Sequence, residues 1–119
     1  MSSAKSTVKK LDENTVKALT KVCEEAKRTV QGFDWLTHTA DYSNFPSSLV
    51  ITCVFLTEQQ VIDAKAQQQD AYLRKLIHKQ LLKVGILLKN PKHNVFFDSE
   101  EACAMSHQGN WDKRLRLFH

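Results

Sequence analysis

The sequence predicts a small α+β domain, and three observations carry that expectation. Apolar residues recur at helical spacing over residues 16–30 and again over residues 73–84, while residues 49–56 form a continuous apolar run of strand length. Two helices with one apolar stripe each, and a strand that is apolar on both faces, are satisfied together when helices pack on a small sheet. At 119 residues, 42% of them hydrophobic, with three Gly and two Pro, the chain suits one compact domain and excludes collagen-like or broadly disordered classes. Residues 1–11 are Ser/Lys-rich with little to bury and predict a mobile polar tail, leaving 12–119 as the single α+β domain.

The first helix starts after an N-cap at Asp12 or Asn14. Val16, Leu19, Val22, Cys23, Ala26 and Val30 make its stripe, and Gly32 sits where a left-handed residue ends a helix. Lys17, Lys21, Glu24, Lys27 and Arg28 form its solvated side. Residues 33–41 place Phe33, Trp35, Thr37 and Thr39 at period two, as in a half-buried strand. The turn-forming residues 42–48, with Pro46, then connect to the central strand over 49–56.

Thr57 followed by Gln60 is a capping-box pattern. Residues 58–70 are polar and Gln-rich, and fit either one long helix or two that meet near residues 67–69. Leu73, Leu76, Ile77, Leu81 and Val84 then define a strong helical stripe that Gly85 terminates. Residues 86–88 and 95–97 are short strand candidates around Asn90-Pro91, and Asp98 with Glu101 caps a last helix over 99–107. Gly109-Asn110 breaks the chain before a basic, aromatic terminus. The expected order is helix, strand, strand, helix, strand or hairpin, helix, with the helices on a small, largely antiparallel sheet.

The strongest functional signal is local. Residues 72–93 carry Arg74, Lys75, Lys79, Lys83, Lys89 and Lys92 and no Asp or Glu, in a chain whose net charge is only +4. Arg74 and His78 are four apart, as are Lys75, Lys79 and Lys83, which predicts one exposed basic band opposite the leucine stripe. Such a band can lie along a phosphate backbone, with Lys89 and Lys92 extending it. Its ordinary alternative is a solvated helix face whose cations complement the helix dipole.

Other chemistries find less support. No Gly-x-x-Gly loop, RNP-like aromatic run or Cys-x-x-Cys pair is present, and three glycines in separate places cannot form a phosphate loop or dinucleotide fingerprint. Asp34 and His38, expected on one side of a strand with Asp41 following closely, suggest acid-base or metal chemistry but lack a third convergent ligand, and Cys103 with His107 is two ligands where zinc needs more. No catalytic residue, metal site or cofactor is therefore expected. Three cysteines at long spacings predict reduced thiols, and a polar start without a spanning apolar run predicts a cytoplasmic protein with no membrane partner. Trp35, Trp111 and Phe118 are the candidate partner-binding aromatics, although a terminus of this kind more often docks on its own domain.

The residues Gly32-Phe33-Asp34-Trp35-Leu36-Thr37-His38, Phe45-Pro46, Cys53-Val54-Phe55, Gly85-Ile86, Phe97-Asp98 with Glu100-Glu101, and Gly109-Asn110-Trp111 resemble a family of small bacterial proteins of unknown function labelled Fis-family transcriptional regulators. The resemblance spans most of the chain and implies no activity for particular residues. The label implies a C-terminal helix-turn-helix, whereas residues 86–88 and 95–97 read as strands and predict no tight helix pair there. The element order is also similar to the K-homology-like domains of ribosome-binding factor A.

These readings converge on a non-enzymatic module that contacts RNA, a ribonucleoprotein or DNA through Arg74, Lys75, His78, Lys79, Lys83, Lys89 and Lys92. The alternative is a protein-interaction or homo-oligomerising module without nucleic acid.

Overall fold

The computed structural model describes residues 2–118, with side chains from Thr7 to Arg116. Its elements follow the expected α+β order: α1 (Ser2–Thr29), β1 (Phe33–Thr39), β2 (Val50–Phe55), α2 (Glu58–Ala66), α3 (Gln69–Lys83), β3 (Val95–Ser99), α4 (Glu100–His107) and α5 (Trp111–Phe118). Short 3-10 turns at Tyr42–Asn44 and Pro91–His93 fill the connections.

β2 is the middle strand, pairing β1 antiparallel and β3 parallel. The sheet is thus mixed, where a largely antiparallel one was expected. The physical reason lies in residues 86–88. Ile86 and Leu88 are buried as predicted for a strand, but the Ile86 amide donates back to the Leu81 carbonyl at 2.9 Å, so this segment closes α3 and forms no hairpin with β3. The α2–α3 crossover returns the chain to the start of β2, and β3 leaves in the same direction.

Register sorts the sheet's two faces. Leu36, Cys53 and Phe97 form one cross-strand row, and His38, Ile51 and Val95 form the next, on the face that α1 covers. There Ile51, Cys53 and Phe55 meet Leu19, Val22 and Ala26 of α1 and Leu73, Ile77 and Leu81 of α3 in one buried cluster. Each large side chain so buried contributes about 1.5–3 kcal/mol. Trp35, Val54 and Asp98 form a row on the opposite face, where Val54 is fully buried because α5 lies over it.

The local signals have mixed outcomes. Thr57 and Gln60 make the predicted reciprocal box, and Gly32 and Gly85 hold positive φ at the ends of α1 and α3. The polar segment divides in two at Gln67-Gln68, where Gln68 adopts φ +63. α1 begins well upstream of Asp12, through residues expected as a tail, so Asp12 caps nothing and instead accepts the Tyr42 hydroxyl at 2.6 Å. The cap of α4 is Ser99, which accepts the Ala102 amide at 3.0 Å, one residue beyond the expected Asp98. Among the described residues, no helix is long and apolar enough to cross a membrane.

Candidate nucleic-acid interface

α3 buries Leu73, Ile77 and Leu81 against the sheet, which fixes the direction of every other side chain on it. The expected single band divides into two flanks. Lys75, Lys79 and Lys83 form one exposed row at four-residue spacing. Arg74 and His78 lie on the other flank and are partly buried. Arg74 reaches Asp70 one turn earlier, Nη1 to Oδ2 at 3.4 Å, and both side chains are largely covered. Asp70 lies just outside the carboxylate-free stretch, so the sequence window concealed it. His78 turns inward, its Nδ1 enclosed and without a protein hydrogen-bond partner. Lys89 and Lys92 are exposed near the 3-10 turn that packs on α3, and the Asn90 side chain caps that turn by accepting the Lys92 amide at 3.3 Å.

The Lys75–Lys79 row faces a second helix. α1 runs antiparallel to α3, and at one end the hydroxyls of Thr29 and Tyr72 meet at 3.0 Å. Between the helices lies a groove of about 660 Å³. Lys21, Glu24, Glu25 and Arg28 line its α1 side, and Lys75 and Lys79 its α3 side. Glu25 is ion-paired with Arg28. The α1 cations were absent from the sequence-derived site because, alone, they read as an ordinary solvated face; only the pairing of two distant helices places them opposite Lys75 and Lys79.

The remaining constellations have structural partners. His38 Nε2 lies 3.4 Å from Asp12 on α1, and Asp41 accepts from the Ser43 amide at 3.0 Å and the Ser43 hydroxyl at 2.6 Å. Asp34 occupies the register shift between Phe33 and Trp35. Among the described residues no group of His, Cys, Asp and Glu side chains could hold a metal ion. Cys53 and Cys103 are fully buried, and burial pushes the Cys53 thiol up to about 12 and raises the pKa of Cys103, as packing in the interior does.

Trp35 and Trp111 meet edge to face, ring centroids 5.1 Å apart, and both indole N–H groups donate to Glu100 Oε1, at 2.8 and 2.9 Å. Arg114, one turn further along α5, donates to both carboxylate oxygens of Asp98 at 2.6 and 2.9 Å, and that carboxylate holds the guanidinium above its usual pKa. The Trp35–Val54–Asp98 row is therefore clamped at both ends by α5. These two tryptophans are engaged within the domain, and the Phe118 side chain lies outside the described residues. The expectation of no tight helix pair at the C-terminus is corrected: α4 and α5 are joined by residues 108–110 alone, with Gly109 at φ +79. α5 spends Trp111 and Arg114 on the sheet, leaving Asp112, Lys113 and Arg116 outward.

No family model, curated protein or solved structure matches the chain.

Proposed function

We propose that the chain is a binding module for a nucleic-acid phosphate backbone, whether in RNA, a ribonucleoprotein or DNA. The observation that carries this reading is the exposed row of Lys75, Lys79 and Lys83 on a stretch that contains no carboxylate from residue 72 to residue 93. At about 1.5 Å rise per residue, successive lysines stand about 6 Å apart along the helix, so one row can meet successive phosphates. Lys89 and Lys92 extend the positive surface, while Arg74 and His78 contribute less, being partly buried. The free thiols Cys23, Cys53 and Cys103 support a reducing compartment, the cytoplasm.

Affinity of this kind comes from counterion release and falls steeply with salt. Replacing Lys75, Lys79 and Lys83 together by Glu is expected to abolish binding at moderate salt. Neutralising them to Gln lowers the slope of log affinity against log salt by about two to three. Binding by fluorescence anisotropy across a salt series, with circular dichroism as the control for folding, reads both effects. Parental affinity in the folded Glu variant would show that this row is not the contact surface.

A further inference from the structure

The geometry points to a single nucleic-acid strand as the ligand, lying in the α1–α3 groove with basic side chains on both walls. This inference rests on the proposed phosphate-binding function and deepens it.

Two features carry it. The first is charge placement. Lys21 on α1 lies across the groove from Lys75 and Lys79 on α3. Because the helices are antiparallel, the next exposed lysines, Lys17 on α1 and Lys83 on α3, extend the two walls toward the same end. A strand in the groove meets cations on both sides. Of the two carboxylates on the α1 wall, Glu25 is compensated by Arg28, and Glu24 is the one that opposes an anion.

The second feature is width. A lone helix, about 10–12 Å across, enters the major groove of B-DNA, which is about 12 Å wide. α3 cannot do so with α1 packed along its flank, since two helices at an interaxial distance of about 8–10 Å present roughly 20 Å. A duplex is thus confined to the rims, touching one lysine row at a time. A single backbone is narrow enough to lie between the rows and be neutralised from both.

The test compares labelled single-stranded oligouridylate and oligothymidylate with the corresponding RNA and DNA duplexes, by anisotropy at low salt. The wild type is expected to bind at least one single strand about tenfold more tightly than its duplex, and the better of the two strands identifies the sugar. A Lys17→Glu/Lys21→Glu variant, altered only on α1, is expected to lose about tenfold or more, and Glu24→Gln to bind more tightly than wild type. Duplex preference, or an α1 variant that binds like wild type while the α3 triple variant does not, overturns the groove inference and leaves the broader function standing. A wild-type protein that binds none of the four probes overturns both. Circular dichroism of each variant separates lost binding from lost folding.

Discussion

Replacing Arg114 by Met tests the clamp that holds α5 on the sheet. Met keeps an unbranched apolar stem and removes the guanidinium, so the variant loses the two hydrogen bonds to Asp98, at 2.6 and 2.9 Å, and the charge that compensates the carboxylate. The side chains of Arg114 and Asp98 are only 10% and 15% exposed, so Asp98 is left where water scarcely reaches it. Stranding a buried charge costs about 3–5 kcal/mol. The lower end applies here, about 3 kcal/mol, because Asp98 Oδ1 still accepts the Ser99 amide at 2.8 Å when the guanidinium is gone. With a urea dependence of about 2 kcal/mol per molar, the unfolding midpoint falls by about 1.5 M. Urea titration followed by circular dichroism and by tryptophan fluorescence reads the change, since Trp35 and Trp111 meet at this clamp. In the Asp98→Asn/Arg114→Met double variant the stranded charge is gone, and the cycle is expected to close with a coupling of about 2 kcal/mol. A loss below about 1 kcal/mol in Arg114→Met, or additive single effects, would refute the account of α5 docking.

Three further outcomes follow from other contacts. Gly32→Ala is expected to destabilise by about 1–2 kcal/mol, because φ +86 disfavours a side chain and the added carbon would stand 2.9 Å from Gln60, whose side chain caps α2; thermal unfolding measures it. Tyr42 is pushed up to about 12, first by burial and then by its hydrogen bond to Asp12, so phenolate absorbance in Asp12→Asn should titrate closer to the ordinary value of about 10. The same contact holds the Asp12 carboxyl below its usual pKa, the Tyr42 hydroxyl acting first and His38 after it. Its contribution to stability is therefore present above about pH 4 and lost as the pH falls through the lower folded value, and Tyr42→Phe should flatten that acid limb of the stability profile.

The candidate site was half legible in the sequence. Lys75, Lys79 and Lys83 share a flank by helical period alone, and their exposure follows once Leu73, Ile77 and Leu81 point inward. Arg74 and His78 also lie four apart, yet period could not tell that their flank is partly covered or that Asp70 holds Arg74. The opposing wall was not legible at all, because Lys21 and Arg28 gain their position only when α1 packs along α3. Trp35 and Trp111 illustrate the same limit: both read as sticky aromatics, and a carboxylate on a third element, Glu100, decides that they face each other.

What the sequence determined by itself is whatever short-range physics controls. The stripes of α1 and α3, the buried run of β2, the Thr57–Gln60 box and the left-handed endings at Gly32 and Gly85 depend on residues a few positions apart. Tertiary structure decided the rest. Ile86 and Leu88 are as apolar as a strand requires, yet they pack as coil because the Ile86 amide closes α3 before a hairpin can form. The parallel joining of β3 to β2 and the groove between two basic helices bring together residues dozens of positions apart, and the clamp of α5 on Asp98 joins residues on separate elements 16 positions apart. Their energies come from contacts that exist only after the chain has closed those loops, so no local pattern encodes them.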